Sequence, residues 1–277
     1  MFQPIIIAFL MGLIFNRFDT SVLFLMAISA IWFGVSNAAK EIVGEKPIYE
    51  RERMYNLNIF NYMFSKLIVL SIIAFIQAAM FVGIIYLFYH NPSGDLEPFK
   101  NYIGSTLFMF YLSFSATIFG LLISAFFEST EEVMSIVPIA LIPQILLAGV
   151  IAKMDATWKC VLSCFMLGRW GTEGFCHLQD DMGVNTEGVS DSLGVNIPYM
   201  PIPSIPPDTS AINETTYGAG NAVNHLGFYT NIKDWPLDFI EPTWSDSLMA
   251  NVLFILFLNI LIFIAVFILL KRKDKQF

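Results

Sequence analysis

Six apolar stretches divide the chain, at residues 4–15, 21–38, 62–89, 102–127, 133–151 and 248–270. Charged residues fall between these stretches or at their edges. A helix needs about 20 mostly apolar residues to cross a bilayer. Backbone amides and carbonyls in lipid must pair within such helices. The pattern therefore predicts an all-α polytopic membrane protein with six transmembrane helices. The first stretch is short for a full span. It is either tilted and incomplete or the end of a helix that begins in a longer polypeptide. No basic segment precedes it and no small-residue cleavage site follows, so no cleavable signal is expected. The third stretch is long enough to bend or to run out of the membrane.

Composition agrees with this reading. Hydrophobic residues make up 56% of the 277, and the mean hydropathy is +0.64. A soluble domain lacks the polar residues to cover that much apolar surface. The net charge of -8 argues against nucleic acid, which selects basic surfaces.

Lysine and arginine set the predicted orientation. With both termini cytoplasmic, Lys40, Lys46, Arg51, Arg53 and Lys66 lie inside after the second span, and Lys271, Arg272, Lys273 and Lys275 after the sixth. The plasma membrane is the expected location. Residues 153–246 then form an outer loop with four basic and twelve acidic residues, which carries the same net charge as the whole chain. Pro198, Pro201, Pro203, Pro206 and Pro207 favour extended backbone there. Three regions follow: residues 1–152 with five spans and a cytosolic loop at about 38–61, residues 153–246 as an ectodomain, and residues 247–277 with the last span and a basic tail. There is no internal repeat.

Several chemistries are excluded by pattern. No glycine is followed by lysine, so no P-loop exists in this chain. Neither H-E-x-x-H nor G-x-S-x-G occurs. No catalytic residue, metal site or cofactor is expected in this chain. No acidic or basic residue lies mid-span, where ion-coupled carriers place one. His90, His177 and His225 fall near or beyond the outer surface. An ATPase is then the simplest energy source.

The segment from Ala38 to Lys66 mixes both charge signs (Lys40, Glu41, Glu45, Lys46, Glu50, Arg51, Glu52, Arg53) with apolar Ile42, Val43, Ile48, Tyr49, Met54, Leu57, Ile59 and Phe60. It reads either as a helical hairpin that docks on a cytosolic partner or as a solvated loop that sets topology. Its residues resemble the connection after the second span of ABC-2 type transporter permeases of the G-subfamily-like kind. There, E-x-x-x-Y-x-R-E-R precedes N-L-x-I-x-x-Y-x-x-S-K. Glu45, Tyr49, Arg51, Glu52 and Arg53, then Asn56, Leu57, Ile59, Tyr62, Ser65 and Lys66, occupy the matching places. The resemblance implies that this region contacts an ABC ATPase, associated or fused, and couples its closure to the spans.

Two further stretches resemble the same family. I-P-Q-I-L-L-A-G-V-I in the fifth span is similar to P-x-x-x-x-[SA]-G followed by two apolar residues. The resemblance implies an apolar plug at Val150 and Ile151, beside Gly149. Simple helix packing is the alternative for each residue. Residues 157–177 are apolar but too short to cross. The family holds re-entrant helices there with an arginine–aromatic pair and a glutamate, which Arg169, Trp170 and Glu173 match. The resemblance also implies a second permease half enclosing a shared cavity.

Lesser signals remain. Ala116, Gly120 and Ser124 form a small-residue ladder that favours tight helix contact, within the chain or across a dimer. Gln77, Gln144, Asn251 and Asn259 suit hydrogen bonds between helices, with a transport path as the alternative. Cys160, Cys164 and Cys176 with His177 match no standard zinc spacing. They read as packing cysteines first, a disulfide second and a metal site last. Asn213–Glu214–Thr215 is a glycosylation sequon. The expected function is the permease component of an ATP-driven exporter, its charge-free spans suiting a lipid-like or amphipathic substrate. A membrane anchor whose ectodomain binds a partner is the alternative. An ion-coupled carrier ranks third.

Overall fold

The computed structural model describes residues 2–15, 18, 20–55, 58–90, 99, 101–148, 150, 157–179 and 248–273. All regular structure among them is helical: α1 (Phe2–Ile14), α2 (Thr20–Ala38), α3 (Glu41–Gly44), α4 (Lys46–Arg53), α5 (Ile59–Tyr89), α6 (Tyr102–Phe126), α7 (Thr130–Leu146), α8 (Thr157–Cys164), α9 (Leu167–Leu178) and α10 (Leu248–Lys273).

Polar residues between the apolar runs start these helices. The Asn58 side chain accepts from the Phe60 amide, Asn101 from that of Gly104, and Ser129 from that of Glu132. Each satisfies an amide that the first turn leaves without a carbonyl. Asn101 does so at φ 51°, in the left-handed region, which asparagine tolerates better than most residues.

Four stretches among the described residues are long and apolar enough to cross a membrane: Ser21–Gly44, Ile59–Tyr89, Tyr102–Phe126 and Asn251–Arg272. The first and fifth apolar stretches of the sequence form shorter helices. α1 has 13 residues and α7 has 17. At about 1.5 Å per residue, even α7 spans less than a hydrocarbon core of about 30 Å. α7 also carries Pro138 and Pro143 inside the helix. The acidic ectodomain expected at residues 153–246 lies, after residue 179, outside the described residues.

α2 and α6 sit at the centre. Glycine brings them together: Gly34 faces the Ser113 carbonyl and Ala116, and Gly120 faces Val35 and Ala38. The small-residue ladder thus meets α2 of the same chain. α5, α9 and α10 pack around α6. Both α5 and α10 keep an exposed apolar face, with Ile68, Val69 and Ile72 on one and Leu253, Phe257 and Ile260 on the other. Such faces suit lipid.

Polar bonds fix the register between helices. Asn37 Nδ2 donates to Gln77 Oε1 (2.6 Å), Asn259 Nδ2 to Ser115 Oγ (2.8 Å), and the Tyr111 hydroxyl to the Val252 carbonyl (2.9 Å). Bonds of this kind contribute about 0.6 kcal/mol each in membranes. Close backbone packing between α2 and α6 therefore holds the bundle, and the polar bonds align it.

Two ends can be distinguished. α3 and α4 lie at one, called here the loop end. The far end is an aromatic cluster of Phe18, Tyr86, Tyr89, Phe99 and Tyr102, in which Phe18 lies 5.4 Å from Tyr89 and 5.1 Å from Phe99. Aromatic rings gather at membrane interfaces.

Candidate functional site: an anchored charged loop and a buried ionic helix

Two clusters bring predicted residues together. The first is at the loop end. α2 ends at Ala38, and two short helices turn the chain toward α5. Glu45 sits at the junction of α3 and α4. Its carboxylate lies 2.6 Å from Lys66 Nζ, and the Glu41 carboxylate lies 3.1 Å from the same nitrogen. Lys66 belongs to the second turn of α5, so Glu41 and Glu45 bind one lysine on the third apolar stretch. Tyr49 is buried and packs on Tyr62 of α5, ring centroids 4.8 Å apart. Ala38, Ile42, Tyr49, Tyr62 and Leu67 share one apolar cluster with Leu121 and Val266.

The other face of α4 is open. Arg51 and Glu52 are exposed, as are Ile48, Met54 and Tyr55. Arg53 closes the helix, and its side chain lies outside the described residues. The segment is thus a short helical hairpin fixed on one side and charged on the other.

The second cluster is on α9. This helix descends beside the far half of α6. Gly174 lies on the Phe108 ring, Gly171 on Leu112, and Gly168 against the Gln144 carbonyl of α7. At the upper end Gln179 Nε2 donates to Ser105 Oγ (3.0 Å). From Tyr102 to Leu112 is roughly 15 Å of helix, about half a hydrocarbon thickness. α9 therefore runs buried along the far half of α6.

Arg169, Trp170 and Glu173 are all buried on this helix. Arg169 Nη2 lies 3.7 Å from Glu173 Oε2, with both side chains 1% exposed. His177 Nε2 is 3.9 Å from the other Glu173 oxygen. The Arg169 guanidinium is 4.1 Å from the Trp170 ring centroid. The Trp170 indole donates to the Cys164 carbonyl of α8 (2.8 Å) and stacks on Phe254 of α10 (4.3 Å). One side chain thereby ties three helices. Opposite charge in low dielectric offsets part of the cost of burying each ion.

This changes one expectation. The spans carry no ionisable residue at their centres, but α9 buries the side chains of Arg169, Glu173 and His177 within the bundle. Missing intramembrane charge is therefore no argument against an ion-coupled carrier. Hydropathy places these residues in a loop, and the re-entrant helix there is only what the family resemblance implies. The signal was Gly168, Gly171 and Gly174, one small residue every three positions on a single helix face.

Other predicted residues are less informative. Val150 is half-buried just beyond α7, while Gly149 and Ile151 lie outside the described residues. Three of the four neutral polar residues bond between segments, with Gln144 accepting from the Gly168 amide (3.0 Å) beside the Gln77 and Asn259 pairs above. Asn251 is fully buried on α10, and its amide atoms have no hydrogen-bond partner among the described residues. Cys164 Sγ lies 3.8 Å from Arg169 Nη1, and Cys176 is buried in the main core. Among the described residues, no three histidine, cysteine, aspartate or glutamate side chains gather as a metal site would require.

Comparison with known proteins settles the family. Residues 1–179 match the ABC-2 type transporter family. The chain belongs to that family. This ABC-2 chain is a transporter permease component, and the ABC-2 domain is the membrane part of such systems, distinct from the ATPase. The match includes both clusters and α1 through α9. A relative is the ABC transporter ATP-binding/permease protein Rv1747 of Mycobacterium tuberculosis (strain ATCC 25618 / H37Rv). It is 24% identical over 161 residues, covering 54% of this chain and 18% of that protein. The ABC-2 chain thus spans less than a fifth of the length of that relative.

Proposed function

We propose that this chain is the permease half of an ATP-driven ABC exporter that moves a lipid-like or amphipathic substrate. The observation that carries this reading is the hairpin of α3 and α4. Its inner face is held by Lys66, Tyr62 and the apolar cluster, and its outer face presents Arg51 and Glu52. A loop that merely sets topology needs no such anchoring. A loop that transmits force needs both faces. In this reading an ABC ATPase, separate or fused as the name of the mycobacterial relative describes for that protein, presses on the exposed face when it closes on ATP.

The proposal extends to the whole machine. Both termini are cytoplasmic, so the loop end faces the ATPase. α1 and α7 complete six spans with the four long helices. Two halves enclose a cavity, closed on the outer side by Val150 and Ile151. Apolar walls favour substrates with long hydrocarbon parts.

The test uses the full chain, tagged and purified from native membranes with whatever it binds. A copurifying or fused ATPase is expected. The Arg51→Ala/Glu52→Ala variant should hydrolyse ATP but lose at least about tenfold in ATP-dependent movement of a fluorescent phospholipid in liposomes. Unchanged lipid movement at equal expression removes these residues from coupling. Recovery of the chain alone, even after crosslinking, favours the membrane-anchor reading instead.

A further inference from the structure

We infer that Ser124 is the residue that fastens the α3–α4 hairpin to α6, and that α6 with α2 receives the force delivered there. This rests on the coupling reading above. Ser124 occupies the last turn of α6 and is 1% exposed. Its hydroxyl oxygen accepts from the backbone amides of both Ile42 and Val43, each at 3.0 Å. These are first-turn amides of α3, which have no carbonyl of their own helix to pair with. The preceding Lys40 makes no side-chain cap. The cap comes from a helix about 80 positions later in the chain.

The position has mechanical meaning. Ser124 is one turn beyond Gly120, which lies against Val35 and Ala38, and two turns beyond Ala116, which lies against Gly34. The same face of α6 therefore grips α2 twice and then the start of α3. Lys66 makes the corresponding tie to α5, but from side chain to side chain, through carboxylates that are 34% and 40% exposed. Solvent screening and rotamer freedom make that tie soft. The Ser124 tie runs from a buried hydroxyl to main chain and has neither weakness. Displacement of the hairpin thus reaches α6 and α2 through main-chain bonds, while α5 is linked by the Lys66 pairs and by the packing of Tyr49 on Tyr62.

Ser124 is a positioning residue, and its removal leaves the exposed charged face intact. Ser124→Ala deletes the acceptor with almost no change of volume, and Ser124→Thr keeps the hydroxyl. Hydrogen exchange on the full chain in lipid nanodiscs reads the contact directly. In the wild type the Ile42 and Val43 amides should exchange far more slowly than those of exposed Met54 and Tyr55. In Ser124→Ala they should exchange at least roughly tenfold faster, with Ser124→Thr restoring protection. Equal exchange at all four amides in the wild type, or protection unchanged in the alanine variant, overturns the assignment.

The second readout is the ATP-driven distance change between spin labels at Leu87 and Met249, both exposed at the far end. It is measured on the copurified complex with ATP and vanadate. Ser124→Ala should abolish the change while ATP hydrolysis continues, and Ser124→Thr should recover it. If Arg51→Ala/Glu52→Ala abolishes the change and Ser124→Ala retains it, the Ser124 role falls and the coupling reading stands. If neither the wild type nor any variant shows an ATP-driven change, the coupling reading itself falls.

Discussion

At the scale of single residues, small side chains carry most of the structure. Gly120 admits the Val35 backbone and the Ala38 methyl where any Cβ would collide. Overpacking a core costs about 1–3 kcal/mol, more where backbone must move. Gly120→Leu should therefore lower stability in detergent by at least about 2 kcal/mol, while a leucine at exposed Gly44, which has open space around it, should cost under about 1 kcal/mol. Thermal unfolding followed by size-exclusion chromatography separates the two, and equal losses would mean that α2 and α6 do not meet as described. The ladder of Ala116, Gly120 and Ser124 was legible from spacing alone. Its partner was not, because small residues show that something comes close and nothing about what. The Ser124 hydroxyl was hidden in the same way, since serine reads as small before it reads as an acceptor.

At the scale of elements, the helices fall where hydrophobicity placed them, displaced by a few residues at the ends. α5 begins at Ile59 and not at residue 62, because Asn58 caps it and Ile59 and Tyr62 face the apolar cluster. α7 begins at Thr130, ahead of the apolar run, because Ser129 caps it and Glu131 and Glu132 suit the positive end of the helix. The burial of α9 lay beyond reach of pattern, since a short amphipathic helix looks the same at a surface as inside a bundle. Its ion pair yields a sharp expectation. Removing one partner of a buried pair costs about 3–5 kcal/mol, whereas replacing both by apolar residues is often neutral. Glu173→Leu should destabilise strongly, and Arg169→Leu/Glu173→Leu should recover most of the loss. Simple addition of the two single losses in a double-mutant cycle would show that the charges do not act as a pair.

For the whole molecule, the two ends differ in chemistry, and the difference predicts sidedness. The loop end collects Arg51, Glu52 and Lys66 with Lys271 and Arg272 of α10, and the far end collects aromatic rings. A cysteine at exposed Tyr55 should react with a membrane-impermeant maleimide only after the cytoplasmic face is opened. A cysteine at exposed Leu87 should react in intact cells. The reverse pattern would invert the orientation and place the charged hairpin outside, where no ATPase could reach it. Membrane residence and the family followed from hydropathy and the Ala38–Lys66 motif. Which helices take the centre required packing, because α2 and α10 both read as apolar spans, yet α2 is enclosed while the more apolar α10 keeps most of its surface open.

The two prolines of α7 reach beyond helix shape. Neither has an amide hydrogen, so the carbonyls of Met134 and Ile139, four residues earlier, lose their helical donors. Both sit on turns whose side chains are exposed. A bare carbonyl oxygen is costly against hydrocarbon tails. That flank of α7 is therefore expected to turn away from lipid, toward water or a second protein surface.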